Sequence, residues 1–310
     1  MSRIGVDLGG TKVEAILVGG DGTIEARERV ATPRFDYDAT VEAIAKLVET
    51  FDRVAGHRCT VGAGTPGAVE PSTGLMKNCN STWLNGRPLL GDLKRRLGDR
   101  VRVANDADCF ALSESVDGAA AGTATSFGVI LGTGVGGGIV THGRLVQGPN
   151  GIAGEWGHTP LPYFHCDVDE IEHRLADRRC YCGRVNCVET FLSGPGLART
   201  HAALWEEQRE PREIAQATDT NGKRTLELYC RQLARSLAQI ANVLDPEVIV
   251  LGGGVSEIQA LYQRVPELWT AYFFSDTVNT RLVPAVHGAS GGVRGAAWLW
   301  PADYNSDSNH

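Results

Sequence analysis

The chain has 310 residues, with 30 Lys and Arg against 37 Asp and Glu for a formal net charge of −7. That length suits about two domains, and an apolar fraction of roughly half once glycine is counted excludes a disordered chain. No basic run exceeds Lys94, Arg95 and Arg96, so neither nucleic acid nor an anionic membrane is expected as a partner.

The N-terminus, MSRIGVDLGG, enters a strand pattern directly, without a basic leader or a long apolar core, and a cytoplasmic location is expected. The strand meets the glycine turn of DLGGTK, Asp7 to Lys12, and a second strand follows. From Tyr37 to Phe51 the apolar residues Val41, Ile44, Leu47, Val48 and Phe51 have helical spacing. A strand at Thr60 to Ala63 runs into GAGTPG, Gly62 to Gly67. Val101 to Ala104 is a short strand, and NDADCFALSESVDGAAAG predicts a helix capped by Asn105 or Asp106 and ended near Gly118. This alternation of strands and helices indicates an α/β protein.

From Gly118 to Val140 no residue is charged, and 23 residues would suffice to cross a bilayer. Eight of them are glycine, and the large apolar residues gather at Phe127 to Leu131 and around Ile139, as two strands flanking a glycine turn require. The first hairpin can be laid on this one with an offset of 123 residues, IGVDLGGTKVEAIL on FGVILGTGVGGGIV. Two related halves are therefore expected, each opening with a hairpin. Further on, Leu226, Leu233, Leu237, Ile240 and Leu244 predict a long amphipathic helix over Arg224 to Leu244, stopped by Asp245 and Pro246. The buried strand Val248 to Leu251, a loop of three glycines and another helical stretch follow. Val293 to Trp300 reads as a closing helix, with a disordered tail from Pro301.

Glycines between two strands let backbone N–H groups approach an anion, and a Thr hydroxyl adds a donor. DLGGTK and LGTGVGGG both have this form, and LGGG after a buried strand is expected to open a helix, so a bound nucleotide is indicated. Asp7, at the end of an apolar strand, is placed to hold the water shell of Mg²⁺. No GxxxxGK[ST] occurs, so the loops are not of the Walker A type.

Of 8 Cys, three fall in CYCGRVNC as Cys180, Cys182 and Cys187, with His158 upstream in GEWGH. Three thiolates and an imidazole form a closed structural Zn²⁺ set; disulfides are the alternative, disfavoured in a reducing cytosol. Cys59, Cys79, Cys109, Cys166 and Cys230 are scattered and read as buried or inert thiols. In ANDAD, Asn105 and Asp106 suit helix capping, and the same placement lets Asp106 take a proton from an alcohol attacking phosphorus; Asp108 is the substitute. Glu155 lies three residues before His158 and Glu189 two after Cys187, so a metal there would gather two carboxylates suited to adjacent sugar hydroxyls. GTPG, with Gly64 and Thr65, and NSTWLNG, Asn80 to Gly86, add small polar and aromatic groups of the kind that line a sugar site.

In this order DLGGTK, GTPG, ANDA, LGTGVGGG, GEWGH, CxCGxxxCxE and LGGG resemble the ROK family of bacterial sugar kinases and sugar-responsive repressors, over about Ile4 to Trp300. NSTWLNG and the ending GGVRGAAWLW make the chain most similar to the bacterial fructokinases, also called manno(fructo)kinases. The resemblance implies an actin-like, ribonuclease-H-like fold of two α/β domains that binds ATP, Mg²⁺, structural Zn²⁺ and a hexose, in a homodimer. The domains implied are 1–117 plus about 286–310, since the C-terminal helix returns, and 118–285. On this chain Asp106 would be the general base, and Asp7, Gly9, Gly10, Thr11 and Lys12 the first phosphate segment. Thr133, Gly134, Val135, Gly136, Gly137 and Gly138 would form the second, with Gly252, Gly253 and Gly254 near the adenosine. Gly64, Thr65, Asn105, Glu155, His158 and Glu189 would meet the sugar, His158 also binding zinc with Cys180, Cys182 and Cys187. One departure is visible: the family usually has Gly before the last Cys, where this chain has Asn186, which tolerates positive φ better than other residues with a Cβ.

The function implied is ATP-dependent phosphorylation of a hexose at the 6-hydroxyl, with fructose favoured over mannose or glucose. N-acetylglucosamine or N-acetylmannosamine kinase is the alternative, separated only by NSTWLNG. A sugar-responsive repressor would need an N-terminal helix-turn-helix, and the first phosphate segment begins at residue 4.

Overall fold

The computed structural model describes residues 2–162, 171–175 and 177–301. Cys166 and the tail beyond Pro301 lie outside the described residues. Two compact units result, one of Met1–Ala121, Gly138–Ala153 and Ala289–His310 and one of Gly122–Gly137 and Gly154–Gly288.

In the first unit the antiparallel strands β1 (Arg3–Leu8), β2 (Lys12–Val18) and β3 (Ile24–Ala31) are followed by α1 (Tyr37–Ala55) and β4 (Thr60–Thr65). A small hairpin of β5 (Ala68–Val69) and β6 (Met76–Lys77), then α2 (Leu89–Leu97), β7 (Val101–Asn105) and α3 (Asp106–Asp117), complete its N-terminal part. The sheet order is β3-β2-β1-β4-β7, with β1, β4 and β7 parallel. Asp36 caps α1 by accepting the Ala39 N–H, and Gly56 ends the helix in the left-handed region. Between them Ile44, Leu47, Val48 and Phe51 bury the predicted stripe against Ile4, Val6 and Leu8 of β1.

The sheet's other face is covered by α9 (Gly291–Ala297), which packs backbone to backbone. A Cβ on Gly5 would stand 2.1 Å from Val293 O, one on Gly62 1.8 Å from Ala296 O and one on Gly295 1.6 Å from Cys109 O. Strand, closing helix and α3 therefore meet where only glycine fits. Sequence predicted Val293 to Trp300 as helical; the helix is shorter because Trp298 already caps it, and the Trp300 indole N–H donates to Val61 O at 2.9 Å.

The second half repeats the pattern with β8 (Thr125–Leu131), β9 (Val135–Thr141) and β10 (Arg144–Leu145), then β11 (Val248–Gly252) and β12 (Arg281–Pro284), in the order β10-β9-β8-β11-β12. The strand order matches that of the first sheet, and the antiparallel pair β9–β10 and the parallel pairs β8–β11 and β11–β12 correspond to β2–β3, β1–β4 and β4–β7, in keeping with the repeat read from the two hairpins. Helices α4 (Glu189–Leu192), α5 (Gly194–Trp205), α6 (Pro211–Ala215), α7 (Thr220–Leu244) and α8 (Ala260–Trp269) belong to the second unit. Capped by Asp219, α7 starts four residues before the predicted Arg224, and Asp245, with φ 47°, ends it ahead of Pro246. Gly254 opens a short 3₁₀ turn, Gly254–Glu257, and not the helix expected there. The buried Glu172 carboxylate pairs with Arg235 and accepts from Gln232 at 2.8 Å, which fastens residues 171–175 to α7.

Gly138–Ala153 was assigned by sequence to the second domain, and it groups with the first unit. The cause is close packing, since a Cβ on Gly138 would stand 2.7 Å from Ala111 Cβ and 2.8 Å from Ala107 O of α3. No helix among the described residues is long and apolar enough to cross a membrane, and the uncharged stretch supplies β8, the turn and β9.

Candidate functional site

In the first unit Asp7 is the penultimate residue of β1, opposite Glu14 on β2 and beside Gly64 on β4. Burial, and then the negative charges of Asp106 and Glu14, push its carboxyl up to about 6, against a smaller opposing pull from Lys12. The next residues turn sharply, the Gly9 N–H donating to Lys12 O at 3.0 Å, and leave Gly10, Thr11 and Lys12 exposed. Thr32 holds the turn from the side, its hydroxyl donating to Gly9 O at 2.7 Å. Glu14, which sequence reasoning missed, is buried and pairs with Lys12, Arg27 and Arg29. Its only sequence signal was an acid among the apolar residues from Val13 to Val18.

Asn105 caps α3 by accepting the Ala107 N–H at 2.9 Å, and Asp106 Oδ1 accepts the same N–H at 2.8 Å. The first helical turn thus presents the exposed Asp106 carboxylate in a fixed orientation beside the half-exposed Asn105. Gly64 and Thr65, predicted at a sugar site, are buried; the Thr65 hydroxyl donates to Gly67 O at 2.8 Å and Ala104 O at 3.2 Å. It braces the ends of β4 and β7, so its side chain does not serve as a surface donor. Cys109 is buried and raised well above its ordinary value by burial and by Asp108, Asp106 and Asp7, as an inert thiol should be. Cys59, Cys79 and Cys230 are buried likewise.

In the second unit the predicted second phosphate segment, Thr133 to Gly138, spans a turn and the first part of β9. Gly132 N–H donates to Gly134 O at 2.9 Å, and Thr133 at the tip is exposed. Gly136, Gly137 and Gly138 lie within β9 instead. Gly136 O accepts the Trp156 indole N–H at 2.9 Å, and a Cβ on Gly137 would stand 2.8 Å from Phe127 and Trp156, so two of these glycines serve the packing of Trp156 and Gly138 that of α3. Val135 N–H is taken by Glu189 Oε2 at 3.0 Å.

A cavity of about 1260 Å³ opens beside the turn, lined by Gly132, Thr133, Gly194, Ala198, Gly254 and Ile258 among others. Gly253, with φ 83°, would place a Cβ 2.5 Å from Leu131 O, so β8 and the LGGG loop approach closely at the cavity's edge. The start of α5 joins them through the Gly194 N–H, which donates to Gly132 O at 2.8 Å. Sequence reasoning missed this helix; Ser193 capping it and Pro195 in its first turn were the signal.

His158, Cys180, Cys182 and Cys187 offer ligand atoms that all lie within 4.8 Å of one another. Cys180 Sγ is 3.5 Å from His158 Nδ1 and Cys182 Sγ 3.6 Å from Cys187 Sγ, close to the edge of about 3.5–3.8 Å that tetrahedral Zn²⁺ with thiolate and imidazole ligands requires. The other ring nitrogen, Nε2, is 2.9 Å from Tyr181 Oη. One ring nitrogen of His158 thus faces Cys180 and the other faces the exposed Tyr181. Glu155 is exposed just before the 3₁₀ turn Trp156–His158, and Glu189 begins α4.

The ROK family profile matches residues 3–303. The N-acetyl-D-glucosamine kinase of Vibrio cholerae serotype O1 is 38% identical over 301 residues, covering 95% of this chain and 98% of its own. The crystal structure of the ROK hexokinase from Thermus thermophilus superposes with a TM-score of 0.84 at 31% identity, covering 96% of this chain and 97% of its own. A ROK family glucokinase from Streptomyces griseus, solved in complex with glucose and AMPPNP, has a TM-score of 0.73 at 27% identity, covering 96% of this chain and 99% of its own. The curated relative bears the name of an acetamido-sugar kinase and not of a fructokinase, so the likeness to fructokinases drawn from NSTWLNG is not supported.

Proposed function

The chain belongs to the ROK family, and from that premise we propose that it transfers the γ-phosphoryl group of ATP to the 6-hydroxyl of N-acetyl-D-glucosamine. The observation that carries the choice of sugar is the 38% identity, over 95% of the chain, to a kinase of that name. The reaction class draws further support from the Streptomyces griseus glucokinase, which holds glucose and AMPPNP.

Phosphoryl transfer asks mainly for positioning and for stabilisation of charge. Asp106 is assigned as general base, because the Ala107 N–H fixes its exposed carboxylate at the head of α3. It would accept the 6-hydroxyl proton as that oxygen attacks phosphorus, while the P–O bond to ADP breaks. Mg²⁺ supplies neutralisation of the phosphate charge, and Asp7 would hold its water shell. The residues fit such a cation, since burial and then the negative charges of Asp106 and Glu14 push the Asp7 carboxyl up, and a divalent ion there would offset both. Gly9, Gly10, Thr11 and Lys12 are assigned to one phosphate turn, Thr133 and Gly134 to the other, and the cavity beside Gly254 to the adenosine. Asn105, through Nδ2, Glu155 and Glu189 are assigned to sugar hydroxyls. The Cys and His cluster would hold structural Zn²⁺, which supplies rigidity and no chemistry.

The test is ADP release from Mg·ATP with N-acetyl-D-glucosamine, N-acetylmannosamine, fructose, mannose and glucose. The highest kcat/KM is expected with N-acetyl-D-glucosamine. Turnover confined to fructose would overturn the choice of sugar, and silence on all five would overturn the reaction class.

A further inference from the structure

Glu189 stands two residues after the cluster ligand Cys187, at the first position of α4. Its Oε2 accepts the Val135 N–H at 3.0 Å, and its Oε1 lies 3.9 Å from Cys180 Sγ. A Cβ on Gly134 would come within 2.7 Å of Oε2, so the glycine is what admits the carboxylate to the turn. Outside the strands, and among the described residues, the turn is tied further by Gly132 N–H to Gly134 O and Gly194 N–H to Gly132 O, both of them within the backbone. Glu189 is therefore the side chain that fixes the far end of a glycine loop, whose freedom would otherwise have to be lost when a ligand binds.

We infer that Glu189 is a positioning residue for the nucleotide: it holds the Gly132 to Val135 turn in the shape that receives phosphate, and carries the placement of the Cys and His cluster to that turn. The inference rests on the kinase reading and goes beyond the assignment of Glu189 to the sugar. A carboxylate beside phosphates also repels them, so anchoring and charge act with opposite signs and can be separated by substitution.

The experiment is calorimetric titration of the full-length protein with Mg·AMPPNP in the absence of sugar, with circular dichroism as the check on folding. Glu189→Ala removes both anchor and charge, and the expected result is binding about tenfold weaker than wild type, equivalent to about 1.4 kcal/mol. Glu189→Gln keeps an oxygen that accepts the Val135 N–H and loses the charge, so it is expected to bind no more weakly than wild type. Gly134→Ala leaves Glu189 in the chain and crowds its Oε2, and weaker binding is expected again. Glu189→Ala binding as tightly as wild type, or more tightly, would overturn the inference, since a sugar contact alone leaves the titration unmoved and a charge effect alone tightens both Glu189 variants. Unchanged binding in Gly134→Ala would overturn it too. No binding by the wild type would overturn the kinase reading and the inference with it.

Discussion

Asn186 Oδ1 accepts the Arg178 N–H at 2.9 Å while Arg178 O accepts the Asn186 N–H at 2.8 Å, a reciprocal pair that closes the loop carrying Cys180 and Cys182, with Cys187 the next residue along the chain. Asn186 Nδ2 donates to Asp177 Oδ1 at 2.8 Å, and the residue has φ 56°. Asn186 therefore adopts the backbone a glycine would take and adds two side-chain bonds. Arg178 in turn is buried, donating to Thr190 O at 2.7 Å and Thr200 Oγ1 at 2.9 Å and stacking on Phe191.

Asn186→Gly keeps the left-handed backbone and loses the side-chain bonds, a cost of about 1–2 kcal/mol. Asn186→Ala loses the bonds and adds about 1 kcal/mol of left-handed strain. Urea denaturation should rank wild type above Gly and Gly above Ala; Ala equal to Gly would show that the backbone here is not held at positive φ.

The donor set of His158, Cys180, Cys182 and Cys187 predicts about one equivalent of bound zinc. Cys180→Ser is expected to lose it and to melt at a lower temperature, as is the chelated wild type. Elemental analysis checks the first, thermal denaturation the second, and a variant with undiminished zinc would contradict the assignment.

Asp7 gives a pH dependence. Its carboxyl is raised in the fold to about 6, so folding favours the protonated form. The stabilising contribution is present below about pH 4, the ordinary carboxyl value, and is lost as pH rises through 6. Asp7→Asn should therefore be more stable than wild type at pH 8, by about 1–3 kcal/mol in metal-free buffer, with the gap closing towards pH 4. Turnover should fall sharply in the same variant. A constant gap across that range would show that Asp7 does not titrate there.

Gly62→Ala would force a Cβ to within 1.8 Å of Ala296 O and must displace the backbone of α9 from the sheet. A loss of about 3 kcal/mol or more is expected. Gly148→Ala, where a Cβ would meet nothing within 4 Å, should be indistinguishable from wild type in the same chemical denaturation.

The hairpins were legible because Gly9 and Gly132 each follow a buried apolar strand and the chain has to reverse there. The α3 cap was legible because Asn105 makes the hydrogen bond its residue type predicts, and the metal cluster because three of its ligands sit within eight residues. What was not legible depends on partners distant in sequence. Gly136 to Gly138 look identical to turn glycines until Trp156 and α3 are seen against them. Thr65 looks like an exposed donor until Ala104 O is found above it, and Glu189 like a sugar ligand alone until Val135 is found beside it. The segment NSTWLNG is a poor guide to the sugar because its Trp83 packs edge-on against the distant Phe35 and its Asn85 binds back to Cys79, contacts that serve the packing of the segment itself.

The central claim is that Asp106 removes the proton from the attacking sugar hydroxyl. The measurement that tests it most directly is steady-state turnover of Mg·ATP with N-acetyl-D-glucosamine by wild type and Asp106→Asn, alongside calorimetric binding of Mg·AMPPNP. The account predicts kcat lower by about 10²–10⁴-fold in the variant, with the fold and nucleotide affinity retained. Near-normal turnover in Asp106→Asn would contradict it and move the base to Asp108 or to water.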